Sequence, residues 1–307
     1  MKLAAIAAAA LCALAAQYAV LIRPSFLSWG ATAAELEKAL PGDERWPAPA
    51  QEETRAITIA APPARVWPWI AQLGQDRAGF YSYRALEDLV GCEMPEGDRL
   101  LGLADPRPGE RIWFYPPRKA SGRGYATYAA VEPGRSLVLA TYGFGPLRPD
   151  GSPPPAGIWS FTLEPDARGG TRLLVRGRSG VEGEAESLGA WAFRTLFFEP
   201  VHFAMERKML LGIRDRAEGR PLAPPWRDLA DVVAWALAFA LGLGALGAML
   251  VRRRTFYRPL LAGTAALFAL TVIFFAAPPL AITAAILGVA GYAFVWALEK
   301  PRVHGHA

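Results

Sequence analysis

The chain has 307 residues, 52% of them apolar, with 3 histidines, 2 cysteines and no asparagine. Its formal charge of +5 is unevenly placed: Leu3 to Asp228 holds 26 basic and 26 acidic residues, whereas Lys2 and the segment from Leu229 onward hold 7 basic and 2 acidic. The excess positive charge belongs to otherwise apolar segments, which argues against a nucleic-acid surface. Cys12, in an apolar run, and Cys92, in the polar middle, form no CxxC motif and suggest no disulfide. Arginine outnumbers lysine 28 to 5 and alanine is abundant throughout. We read this as a bias of base composition, so alanine-rich runs weigh less than their hydropathy suggests.

In chain order, Leu3 to Ile22 comes first: 20 residues without a charge, closed by Arg23-Pro24. At about 1.5 Å per residue it reaches across a bilayer core of roughly 30 Å. Residues 1–23 are read as an uncleaved anchor. The alternative is a signal sequence, for which Ala13-Leu14-Ala15 offers small residues although the apolar stretch is long for a cleaved one. Residues 24–52 form a lead-in. Glu53 to Ala60 then alternates as a strand, Pro62-Pro63 breaks it, and Val66, Trp67, Ile70 and Leu73 follow at helical spacing. A short helix fits Tyr83 to Val90. Strands are expected at Glu110–Tyr115, Tyr125–Val131, Ser136–Tyr142, Ile158–Leu163 and Thr171–Arg176, with Asp166–Gly170 as a hairpin turn and the proline-rich Gly145–Gly157 as an ordered excursion or lid.

A long helical stretch follows over roughly Glu184 to Arg216. Leu188, Trp191, Thr195, Phe198 and His202 make one stripe, and Met205, Met209, Ile213 and Ala217 a second; Glu206, Arg207, Lys208, Arg214, Asp215 and Arg216 take the other face. Pro200 should kink this helix or divide it in two. An antiparallel sheet of five or six strands must cover its apolar face, and the terminal helix is the expected cover. The expected class is α+β.

Beyond a linker at 220–228, three spans are expected at 229–251, 260–277 and 280–298, then a tail at 299–307. Pro278-Pro279 suits the turn between the last two. Arg252, Arg253, Arg254 and Arg258 crowd the loop between the first two, which the positive-inside rule makes cytoplasmic. Counting crossings puts the middle domain on the outer side of the cytoplasmic membrane; its own 26 basic residues leave the opposite topology open. Gly242-Leu-Gly244-Ala-Leu-Gly247 matches the GxGxxG string, but it lies inside a span, where small residues let helices approach.

Three stretches resemble a known family. They are Ile57-Thr-Ile59-Ala-Ala-Pro62-Pro-Ala-Arg-Val66-Trp67-Pro-Trp69-Ile70; Gln72-Leu-Gly74-Gln-Asp-Arg77-Ala-Gly79-Phe-Tyr81-Ser82-Tyr83 with Leu86-Glu87; and His202-Phe-Ala-Met205-Glu206-Arg207-Lys208-Met209-Leu-Leu-Gly212-Ile213. With the element order, they resemble the START-like superfamily (SRPBCC), which includes polyketide cyclases, aromatases and lipid-transfer domains, and within it a bacterial, often membrane-attached subgroup. The likeness covers roughly Thr54 to Glu218, within a domain placed at 53–219. It implies a helix-grip fold: an antiparallel sheet wrapped around a long C-terminal helix, with a cavity between them for an apolar molecule or lipid. The fold hosts many functions, so it does not choose among them.

The residues narrow the choice. The middle domain holds one histidine and one cysteine, too few for a zinc site or a Ser-His-Asp or Cys-His enzyme, and has no Walker motif. No metal or cofactor is expected. Acid–base work would fall to Tyr81, Tyr83 or His202, the last within reach of Glu199 or Glu206 on a helix. Arg77, Tyr81 and Tyr83 form the densest polar–aromatic cluster, and strand alternation adds Trp113, Tyr115, Tyr125 and Trp159; with Phe198 and His202 these are the pocket candidates. Arg172, Arg176 and Arg178 share a strand face and read as a solvated edge, or alternatively as a patch for anionic headgroups. The expected partner is a hydrophobic small molecule or lipid, with the membrane and without nucleic acid. Binding ranks above a cyclase- or dehydrase-like activity, and a third reading is a structural or partner-binding membrane protein with a collapsed cavity.

Overall fold

Each alternating segment becomes a strand. In the computed structural model, which describes residue 16 and residues 18–299 apart from 96, 120, 122, 144, 184, 185, 253 and 254, the strands are β1 (Gln51–Ile59), β2 (Arg111–Trp113), β3 (Tyr125–Glu132), β4 (Ser136–Tyr142), β5 (Pro155–Pro165) and β6 (Thr171–Ser179). Cys12, most of the apolar N-terminal run, Glu184, Arg253-Arg254 and the Lys300/Arg302 tail lie outside the described residues. The six strands form one antiparallel sheet in the order β1-β6-β5-β4-β3-β2. β1 pairs with β6 along its whole length, from Gln51 opposite Ser179 to Ile59 opposite Thr171. Asp166 closes the β5–β6 turn, accepting a hydrogen bond from the Arg168 N–H at 3.1 Å.

The helices preceding the last strands are α1 (Arg23–Leu27), α2 (Ala33–Glu37), α3 (Pro63–Ala71) and α4 (Arg84–Leu89). After β6 come α5 (Leu188–Phe193), a π turn over Arg194–Phe198 and α6 (Glu199–Glu218). The stretch is divided at Pro200: a π turn separates α5 from α6, and Pro200 sits in the first turn of α6, a position where proline is tolerated.

The second half of α6 covers the sheet. Met209, Leu210, Ile213 and Ala217 pack with Ile57, Ile59, Phe161, Leu163, Leu173 and Val175, and with Val66, Trp67, Ile70 and Leu73 from the α3 region. Two parts of the expected helix pattern are corrected. Leu188, Trp191 and Phe198 are exposed rather than packed on the sheet, and Glu206, expected on the outer face, is buried. A strand, a helix packed on it and a sheet curved behind them make the helix-grip arrangement.

The other face of the sheet is covered by the lead-in, and the strand arginines hold it there. Arg176, only 1% exposed, donates to the carbonyls of Glu35, Leu36 and Lys38, to Asp43 and to Thr54. Arg172 pairs with Glu35 at 2.7 Å and with the Gly30 carbonyl, and Arg178 reaches the carbonyls of Asp43 and Trp46. These side chains are tie points rather than a solvated edge or a headgroup patch, because each satisfies carbonyls that the irregular lead-in leaves unpaired. Thr32 and Glu35 form a reciprocal capping box on α2.

Compact units divide between Leu222 and Ala223. The second unit contains α7 (Pro225–Val251), α8 (Tyr257–Ala276) and α9 (Leu280–Leu298), three helices long and apolar enough to cross a membrane. Small residues let them touch: Ala245, Ala262 and Ala297 are fully buried together, and the Phe294 ring lies where a side chain on Gly244 would stand. Asp231 pairs with Arg227 one turn earlier, and Arg227 donates to the Pro278 carbonyl at 2.7 Å.

Candidate functional site

Alternation along β1 puts residues 53, 55, 57 and 59 on the face toward α6. Ile57 and Ile59 join the core, but Glu53 and Arg55 carry charge into the same layer, where it must be paired. α6 supplies the partners from His202 and Glu206, one turn apart on one face. Arg55 is fully buried. Its guanidinium donates to Glu206 and, at 2.8 Å, to the Phe26 carbonyl, lies 3.6 Å from Glu53, and stands over the Phe203 ring. Trp159 Nε1 donates to the other oxygen of Glu206 at 2.6 Å. His202 Nδ1 lies 3.2 Å from Glu53 Oε1.

Gly177 makes room for this network. It lies between Glu53 on β1 and Trp159 on β5 in the sheet register, and a Cβ there would stand 2.8 Å from Glu53 Oε1. Aromatic rings stand around His202. Phe198 stacks on His202 with centroids 5.6 Å apart and planes 7° from parallel; Trp159 is 6.2 Å from the same imidazole. Trp159, Phe114 and Phe80 form a mutual cluster with centroid separations of 5.5 to 6.3 Å. Trp159 and Phe114 are half-buried, and the His202 side chain keeps 30% of its surface exposed.

Electrostatics favour the charged form of each partner. Burial alone would raise the Glu53 pKa, but Arg55 and His202 hold it down at about 2. Burial alone would lower that of His202, and the Glu53 carboxylate raises it above the ordinary value instead. A histidine facing a carboxylate beside a cluster of aromatic rings can hold a polar head group or deliver a proton. Next along α6, Glu199 is clamped by Arg23 at 2.7 Å and Arg194 at 2.5 Å, which leaves it unavailable to His202.

The structure brings Trp159, Phe198 and His202 together. It places the other candidates elsewhere. The Tyr81 hydroxyl donates to the Trp69 carbonyl and accepts from Gln72, the ring lies under Arg216, and burial pushes its pKa up to about 12. Tyr83 is buried at the start of α4 beneath Lys208. Arg77 donates to the Ala104 carbonyl. Trp113 and Tyr125 pack together with centroids 5.2 Å apart on the outer face of the sheet, with Arg111 over Tyr125, while Tyr115 packs against Gly91. Alternation identified which residues share a face but assigned these to the wrong one: Ile112 and Phe114 point inward, so Trp113 and Tyr115 do not.

No family model matches the chain, and no curated protein does. Among solved structures, the chain is similar to protein MLL2253 from Mesorhizobium loti, at 16% identity over 56% of this chain and 100% of that one, with a TM-score of 0.31. It is similar to Ms6760 from Mycobacterium smegmatis, at 16% identity over 55% and 88%, TM-score 0.32. It is also similar to DynU16, a protein of the dynemicin biosynthetic locus, at 16% identity over 56% of this chain and 49% of that one, TM-score 0.32. The fold assignment rests on the strand order and the helix laid across it.

Sequence reasoning missed Glu53, Arg55 and Phe114, and it named Glu206 as a neighbour of His202 but not as the partner of Arg55. For the first two a signal was present, since Glu-x-Arg-x-Ile-x-Ile on one strand face sets two opposite charges in line with core isoleucines. Among the described residues no group of three or more His, Cys, Asp or Glu side chains is arranged to hold a metal. An open groove of about 770 Å³ between the lead-in and the β3–β4 turn contains the Lys38–Glu164 ion pair and none of the candidate site residues.

Proposed function

We propose that the chain is a membrane-attached, START-like domain that takes a hydrophobic small molecule or lipid into the gap beside Trp159, Phe114 and His202. One observation carries this reading: the single histidine of the domain, paired with Glu53, opens onto aromatic rings that remain half-buried. Few polar groups in an apolar wall suit a ligand that is mostly hydrocarbon with one polar end. The His202 imidazolium would take that end, and the rings would take the body. The membrane helices suit a domain whose ligand resides in the bilayer, and the arginines around Arg252–Arg258 favour placing the domain on the outer side of the cytoplasmic membrane.

A cyclase- or dehydrase-like reading keeps one acid, His202, because Tyr81 and Tyr83 are committed to packing. The two readings separate by experiment. The full chain, purified in detergent, is extracted and its apolar small molecules identified by mass spectrometry. Binding predicts a stoichiometric species that Trp159→Ala depletes. An enzyme predicts that His202→Gln retains a different species from the wild type, the untransformed substrate. A chain from which no apolar species is recovered, in the wild type and in both variants alike, would overturn both.

A further inference from the structure

The eleven residues Leu188–Phe198 form α5 and the π turn, and their surface is almost wholly apolar. Leu188, Trp191, Phe193, Leu196, Phe197 and Phe198 are 45% to 79% exposed. The polar side chains of the segment are turned away from that surface. Arg194 is tied to Glu186 and Glu199, and Thr195 is buried. Single exposed apolar residues are ordinary on a protein surface; six large ones within eleven residues form a patch that needs a cover.

The neighbouring segment says what the cover is. Tyr18, near the end of the uncharged run Leu3–Ile22, donates its hydroxyl to the Thr195 carbonyl. Arg23, the first charge after that run, makes a two-pronged pair with Glu199 at 2.7 and 2.9 Å. Between them Val20 and Leu21 are 68% and 60% exposed. The apolar patch therefore adjoins the end of a run long enough to cross a bilayer, at the level where hydrocarbon side chains give way to Arg23-Pro24.

We propose that Leu188–Phe198 is an interfacial membrane element, lying in the bilayer surface with the Trp191, Phe193, Leu196 and Phe197 side chains at the headgroup–acyl boundary. Aromatic and leucine side chains on a short helix beside an anchor suit that depth. The segment carries no cation free of a carboxylate, so its docking rests on apolar burial and does not need anionic lipid. It also does not depend on a ligand in the domain. Phe198 belongs both to the inserted face and to the stack on His202, so docking brings the lipid phase within one ring of the ion pair.

The test uses the full chain in phosphatidylcholine vesicles, with Cys12→Ala and Cys92→Ser removing the native thiols. Single nitroxide labels are placed at Phe193→Cys, at Phe197→Cys and, as an aqueous reference, at Ala167→Cys in the exposed β5–β6 turn. Labels at 193 and 197 should collide with oxygen in preference to a water-soluble nickel chelate, at a depth of about 5–10 Å, and the label at 167 should show the reverse. If 193 and 197 are as accessible to nickel as 167, the face is in water and the proposal fails. If both are shielded from oxygen and nickel alike, protein covers the face and the proposal fails equally. Each label replaces one of the six large apolar side chains and leaves five, so loss of docking by the label itself is checked by agreement between the two sites. An empty cavity would leave these outcomes unchanged.

Discussion

The His202 imidazole meets Glu53 at 3.2 Å, so one ion pair joins the first strand to the long helix. Its two members pull stability in opposite directions along the pH axis. His202 has a raised folded pKa, so its contribution is complete below the ordinary value of about 6.5 and is lost as the pH rises through the folded value. Glu53 has a lowered one, so its contribution is present above about 4.5 and is lost as the pH falls toward about 2. Thermal unfolding of the solubilised chain should show greatest stability between those limits. Glu53→Gln should flatten the profile on both sides and drop the His202 pKa below its ordinary value, because burial, the largest influence on it, together with Arg55 then opposes only Glu206; an imidazole titration that stays raised would contradict the pairing.

Arg55 is the counter-ion of a fully buried network. Replacing it by Met leaves Glu206 and Glu53 charged in the interior, and breaking a buried pair from one side costs about 3–5 kcal/mol. The double change Arg55→Met with Glu206→Met removes both charges and should recover a large part of that loss. Denaturant unfolding of the two variants measures the difference; equal destabilisation would mean that the arginine acts through packing and not through charge.

What the sequence made legible follows from which physical signal was local. The strands and the membrane helices announce themselves by periodicity and length, and Ser136–Tyr142 falls where alternation put it. Trp159, Phe198 and His202 were found because bulky rings and a lone histidine stand out in any sequence. The pairings of Glu53 with His202 and of Arg55 with Glu206 were not, because each spans about 150 residues of chain and no local pattern says which charges meet. The three strand arginines look solvated on alternation alone. Only the lead-in, an irregular segment whose carbonyls need donors, turns them inward.

Arg176 should therefore behave as a clasp. With Arg176→Ala, the carbonyls of Glu35, Leu36 and Lys38 lose their donor, and Asp43 keeps Arg178 and the Leu40 N–H. Unsatisfied buried groups cost about 1–3 kcal/mol each, partly relieved here by water as the strap lifts. Trypsin should then cut at Lys38 and Arg45 much faster than in the wild type, while the β-sheet circular dichroism persists. Unchanged cutting would mean that Arg172 and Arg178 suffice to hold the strap.

Close approach of α6 to the rest of the domain depends on Gly212. A Cβ at that position would lie 2.9 Å from both the Cβ and the carbonyl oxygen of Tyr81. Tyr81 cannot retreat easily: its backbone holds φ +55° and its hydroxyl is bonded to Trp69 and Gln72. Gly212→Ala should therefore cost about 1–3 kcal/mol through overpacking, against the usual gain of alanine over glycine within a helix. Gly189 supplies the opposite case, since nothing lies within 4 Å of a Cβ there. Gly189→Ala should be neutral or raise the unfolding temperature, so the same substitution at two helical glycines should change stability with opposite signs; a gain at Gly212 would show that the helix stands further from Tyr81 than this packing requires.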